Sequence, residues 1–139
     1  MTGLWLALLV MALAAVFGFV WQARQGRLRV APELEPVLPE QVLRHLDADA
    51  AVTLLQLTTP ICTRCAQAHA VLAELAAAAR GARHTELDLA QHPELADLLG
   101  VRSTPTTLAV ARSGRELFRV TGVPRREELL SALQPHLDS

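Results

Sequence analysis

The chain has 139 residues, 51% of them hydrophobic and 19% charged, with a formal net charge of −1. That length accommodates one domain of ordinary size plus an appendage. The near-neutral charge carries no electrostatic footprint for nucleic acid, the absence of lysine removes lysine-based chemistry, and two cysteines are too few for a disulfide-stapled scaffold.

Residues 4–21, "LWLALLVMALAAVFGFVW", contain no charged side chain. As a helix this run is about 27 Å long, close to the roughly 30 Å hydrocarbon core of a bilayer. Trp5 and Trp21 stand at its ends, where indole rings favour the lipid–water boundary. A removed secretory signal would need basic residues ahead of the run and a small-x-small site after it. "MTG" and "FVWQARQG" supply neither, so residues 1–23 are expected to form an uncleaved, single-pass cell-membrane anchor. Arg24, Arg27 and Arg29 follow it. Positive flanks stay in the cytoplasm, which argues for an outside N-terminus and a cytoplasmic domain; an extracytoplasmic domain is the alternative.

Residues 24–39 carry Pro32, Pro36 and Pro39 without an apolar period and read as a semi-extended linker. The domain is expected over residues 40–139. It opens with a short helix in "EQVLRHLDAD", whose apolar face holds Val42, Leu43 and Leu46. "AVTLLQLT" (51–58) is a nearly continuous apolar run, suited to a strand covered on both faces. A helix is expected from Cys62 to Arg80, with Val71, Leu72, Leu75, Ala76 and Ala79 at helical spacing and Gly81 as its stop. "RHTELDLA" (83–90) alternates as a second strand, and "HPELADLLG" (92–100) is a short helix that Pro93 opens and Gly100 ends. "TPTTLAVARSGRELFRVTG" reads as a hairpin turning at Ser113 and Gly114. The final segment is an amphipathic helix with Leu129, Leu130, Leu133 and Leu137 along its apolar stripe. The first two strands of the domain, joined through a helix, must run parallel and the last two, joined by the hairpin, antiparallel, so the expected domain is α/β, with a mixed four-stranded sheet flanked by helices.

Both cysteines lie in "TPICTRC" (59–65), at C-x-x-C spacing where a buried strand hands over to a helix. The first turn of a helix has unpaired N–H groups and a partial positive charge, and both favour a thiolate. Arg64, between the cysteines, adds a formal positive charge. At i and i+3 the two sulfurs share a face, so Cys65 can displace whatever Cys62 captures.

C-x-x-C alone is a weak motif, but its place at a strand-to-helix junction strengthens it, and "STPT" (103–106) ahead of the third strand adds a second element. With "SG" at the hairpin and Gly122 after the fourth strand, residues from about 40 to 138 resemble the thioredoxin family. The resemblance implies that Cys62 attacks, that Cys65 resolves, and that Pro105 is a cis proline facing them, with Thr104 offering its backbone to an extended substrate segment. It implies no bound cofactor beyond a redox-active Cys62–Cys65 disulfide. The sequence departs from the family pattern at Ile61, where the family has tryptophan, and at Thr63-Arg64, where reducing thioredoxins have Gly-Pro. It departs again at Gln56, where the family has a buried carboxylate that helps deprotonate the resolving thiol. Glu86 aligns near the family's lysine partner to that carboxylate and is a candidate for the missing base; the plainer expectation is an exposed strand residue.

The expected function is therefore a membrane-tethered thiol–disulfide oxidoreductase, monomeric, acting on protein thiols or disulfides near the membrane and recycled by a separate reductase or oxidant. Two other classes compete. A redox-inactive thioredoxin-like binding module would use the groove near Pro105 alone, and its partner capture would survive Cys62→Ser. A metal protein would draw on Cys62, Cys65 and His69 with His84 or His92, but no second C-x-x-C or paired-histidine arm accompanies them. His45, His84 and His136 are expected to be solvated.

Overall fold

A computed structural model describes residues 1–31 and 37–137. Helix α1 (Thr2–Arg24) takes up the whole apolar run; none of its residues is buried against the rest of the protein, and it is long and apolar enough to cross a membrane. It ends where Gln25 turns extended.

Strand β1 (Leu28–Val30) follows almost at once, inside the stretch expected to be a linker. It pairs antiparallel with β5 (Glu116–Thr121), Leu28 opposite Val120 and Val30 opposite Phe118. The expected four-stranded sheet is thus five-stranded. Three residues are too short to leave an alternating pattern; the unpaired edge of β5 is what makes them a strand. Pro32 and Pro36 lie outside the described residues, and Val37 returns to bridge Arg115.

The remaining elements are α2 (Glu40–Leu43), β2 (Val52–Thr58), α3 (Cys65–Ala78), β3 (Ala82–Asp88), α4 (Pro93–Leu98), β4 (Thr106–Ala111) and, after β5, α5 (Arg126–Leu137). The sheet order is β1-β5-β4-β2-β3, with β2 and β3 parallel and the other pairs antiparallel. Alternation along β2, which is paired on both edges, divides its side chains between two cores. Val52 and Leu54 pack with Leu72 and Leu75 of α3, Phe118 of β5 and Leu129 and Leu133 of α5. Leu55 and Leu57 pack on the other face with Val42, Leu87, Leu95 and Leu108. Gln56 is next in phase after Leu54, so it points toward α3 rather than toward α4, and it is fully buried.

The stripe expected on the last helix is only half buried: Leu129 and Leu133 enter the core, whereas Leu130 and Leu137 are partly exposed. Within β5, Arg119 meets buried Glu116 through two hydrogen bonds of 2.7 and 2.9 Å and donates a third, of 2.8 Å, to the Leu99 carbonyl. That ion pair left no signal in the sequence.

Candidate functional site

Helix α3 begins later than expected, at Cys65 rather than Cys62, and stops at Ala78 rather than Arg80. Two tight turns come first, closed by Cys62 N–H to the Thr59 carbonyl and Cys65 N–H to the Cys62 carbonyl; the first full helical turn is closed by Ala68 N–H on the Arg64 carbonyl. Cys62 therefore sits just ahead of the helix N-terminus, not within its first turn. At the other end Ala79 is already extended, and Gly81 takes φ +87°.

The two cysteines form a disulfide, with Cα atoms 5.4 Å apart. Their environments differ. Cys65 is buried and Cys62 is half-buried, so a partner reaches Cys62 first. Ile61 beside it is almost fully exposed, at 92%. An apolar side chain that water would otherwise expel from the surface thus marks the rim of the site.

Because β4 pairs with β2, the loop ahead of β4 lies beside the segment that leads into this pair. The Thr104–Pro105 bond is cis, as the resemblance implied. Thr104 and Thr59 share a hydroxyl hydrogen bond of 3.3 Å, which ties that loop to the segment leading into Cys62. Gly122 N–H donates to the Pro105 carbonyl at 2.8 Å, and the Thr106 hydroxyl donates to the Ser103 carbonyl at 2.7 Å. Pro105 is buried and Thr104 half-buried, so the loop is held in place before any partner arrives.

Beneath the disulfide, Gln56 donates from Nε2 to the Cys65 carbonyl at 2.9 Å. Its Oε1 lies 2.9 Å from Nε2 of His84. The side chain that reaches Gln56 from β3 is therefore His84, and not Glu86. Glu86 is opposite Gln56 in register, yet its carboxylate turns outward to Nδ1 of His69 on α3, at 2.8 Å. His69 and His84 stack edge to face with ring centroids 4.9 Å apart. His84 was expected to be solvated; it is half-buried, and burial above all, then the positive charge of His69, lowers its pKa, with Glu86 opposing. A neutral His84 donates to the amide oxygen of Gln56. Opposite Gln56 on β4, the buried hydroxyl of Thr107 has no hydrogen-bond partner among the described residues.

Arg64 is exposed, and its guanidinium donates to the side-chain oxygen of Gln25, directly after α1. Of the metal reading's candidates, the structure gathers His69 and His84 around Glu86, their ligand atoms within 4.8 Å of one another, and not around the cysteines. His92 instead stacks on His45 and faces Glu94. The contributions of His69 and His84 depend on the β2–β3 register, which alternation alone does not give; the shared phase of residues 84 and 86 was the available hint.

A family model described as a thioredoxin-like domain matches residues 39–136. Among solved structures, a mutant thioredoxin from Halobacterium salinarum is 24% identical with a TM-score of 0.61, covering 73% of this chain and 88% of that one. A thioredoxin-2 of the malaria parasite is 20% identical with a TM-score of 0.56, covering 62% and 84%. A Schistosoma mansoni thioredoxin is 15% identical with a TM-score of 0.56, covering 70% and 88%. At these identities the likeness is one of fold. No curated protein matches the chain.

Proposed function

Since the chain belongs to the thioredoxin-like family, matched over residues 39–136, we propose that it is a membrane-tethered thiol–disulfide oxidoreductase. In the reducing direction the Cys62 thiolate attacks one sulfur of a partner disulfide, and the partner's other sulfur leaves as a thiolate and takes a proton. The Cys65 thiol then gives up its proton and attacks the Cys62 sulfur, releasing the second partner thiol. Two electrons pass to the partner, and the Cys62–Cys65 disulfide is left for a separate dithiol reductant to restore. The same steps in reverse oxidise a partner dithiol.

The observation that carries this reading is the bonded pair itself: an accessible Cys62 and a buried Cys65, joined at a strand-to-helix junction, with Thr59 just ahead of them tied to Thr104 of the cis-proline loop. Thr104 and Pro105 would orient an extended partner segment by short backbone pairing. Gln56 cannot accept a proton as a carboxylate would; its role is to hold the carbonyl of the resolving residue. Arg64 favours the Cys62 thiolate by its charge. The reaction needs no bound cofactor. The tether, residues 4–21, confines a monomeric enzyme to partners at the cell membrane, and the flanking arginines favour a cytoplasmic domain that reduces.

In membranes from cells expressing the full chain, Cys65→Ser is expected to accumulate mixed disulfides on Cys62 that disappear with reductant on a gel. Cys62→Ser abolishes them. Partner capture that persists unchanged in Cys62→Ser would instead identify a redox-inactive binding module.

A further inference from the structure

The chain reaches the domain from the membrane side at the redox end of the sheet. Gln25, Gly26 and Arg27 alone separate α1 from β1. Because β1 runs antiparallel to β5 from Leu28 opposite Val120, the incoming chain arrives at the Thr121 end of β5. The same end of the sheet holds the last residue of β2, the first residue of β4 and the C-x-x-C turn. The β4–β5 hairpin, with Ser113 and Gly114, is at the other end.

Side chains and backbone seal this arrival point onto the site. Gly26 N–H donates to the Thr121 carbonyl at 2.6 Å. Gly26 has φ +75°, and a Cβ there would stand 2.6 Å from the Val123 carbonyl oxygen, so the segment lies flat against the turn after β5. In that turn, Gly122 is covered by the Gly26 nitrogen and the Gln25 Cβ, at 3.2 and 3.6 Å from where its own Cβ would be. It is this Gly122 whose N–H holds the Pro105 carbonyl. Gln25 also accepts the guanidinium of Arg64, the residue between the cysteines. The juxtamembrane segment therefore touches both halves of the redox site. Gln25 is four residues past Trp21, about 6 Å of helical rise from the expected bilayer boundary.

We propose that the redox face lies against the bilayer surface, and that its substrates are cysteines in membrane-surface segments of integral membrane proteins. The substrate class rests on the exchange chemistry proposed above; the placement of the face does not. A soluble globular partner would have to insert its disulfide between the domain and the headgroups, whereas a segment emerging from a neighbouring transmembrane helix arrives in that layer already. Exposed Ile61 is suited to such an apolar-flanked segment, and exposed Arg24, Arg27 and Arg125 around the helix exit draw the face toward anionic headgroups.

Two measurements on the full chain test this. In nanodiscs containing anionic lipid, a fluorophore on Cys62 of the Cys65→Ser chain is compared with one on Ser113→Cys in a chain lacking both native cysteines. Quenching by headgroup-spin-labelled lipid is expected to be several-fold stronger at Cys62; equal quenching, or stronger quenching at residue 113, overturns the placement. Mixed disulfides trapped in membranes by Cys65→Ser are then reduced, and the membranes are extracted with alkali. Partners that stay in the pellet support the substrate class, and partners released to the supernatant overturn it while leaving thiol exchange intact. If no adduct forms although Cys62 alkylates normally, exchange itself is lost and the substrate class with it, whatever the quenching shows.

Discussion

At Gln56 and Thr107 two polar side chains face each other within the α3-side core, and their situations are opposite. Gln56 has both ends of its amide engaged, by the Cys65 carbonyl and by His84. Thr107 has a buried hydroxyl with no partner among the described residues. An unmade buried hydrogen bond costs more than an apolar group of the same shape. Thr107→Val is therefore expected to hold or raise stability, by up to about 1 kcal/mol, as read from the urea midpoint of the oxidised protein. His84 supplies a pH dependence. Its folded pKa lies below the ordinary 6.5 because burial and the charge of His69 disfavour the imidazolium, with Glu86 opposing. Between the folded and unfolded values the unfolded chain binds the extra proton. The contribution is thus complete above about 6.5, the unfolded value, and is lost as pH falls from there toward the folded value. The urea midpoint should fall on going from pH 7 to pH 5, and His84→Gln, which keeps an amide donor for Gln56, should flatten that fall. An unchanged slope in the variant would assign the loss to other groups. None of this was legible in advance: Gln56 stood out by its position six residues before Cys62, but the partners it takes come from elements apart from it in sequence.

Strand β1 is the element that most changes the picture of the chain. It pairs part of the stretch expected to be a semi-extended linker onto the sheet, and the latch is Gly26. At φ +75°, with a backbone oxygen 2.6 Å from any Cβ, that position admits only glycine without movement. Gly26→Ala is expected to cost about 1–2 kcal/mol and, more tellingly, to loosen β1 from β5. Amide exchange at Ala31, whose N–H donates to the Leu117 carbonyl at 3.0 Å, should accelerate while exchange in β2 stays unchanged. Equal protection in both proteins would show that the pairing does not depend on the latch. The longer elements were legible, because each leaves a period or a punctuating residue: β2 by its continuous apolar run, β4 and β5 by the Ser113-Gly114 turn, and α4 by Pro93 and Gly100. The start of α3 was not, because apolar spacing does not distinguish a first helical turn from the tight turns that precede one.

On the scale of the whole molecule, only residues 25–27 separate the apolar helix from the sheet, and Gln25 already meets Arg64 between the cysteines, so the proposed closeness of bilayer and chemistry would be the same whichever side the domain occupies. The arginines after α1 favour the cytoplasm, so a reporter fused after Ser139 is expected to be active only inside; activity confined to the outside would reverse the orientation and place the exchange in an envelope pathway. Local order in the chain was enough to establish an apolar helix of membrane length, an α/β domain of the thioredoxin type, and two cysteines at a strand-to-helix junction. Each of these is written in contiguous residues, as periodicity, spacing or turn chemistry. Tertiary structure alone decided that His84 rather than Glu86 reaches Gln56, that the Arg119 guanidinium reaches the Leu99 carbonyl, and that the apolar helix leads into the sheet beside the cysteines. Those outcomes depend on strand register and on a free sheet edge, which bring together residues far apart in the chain and leave no periodic trace in it.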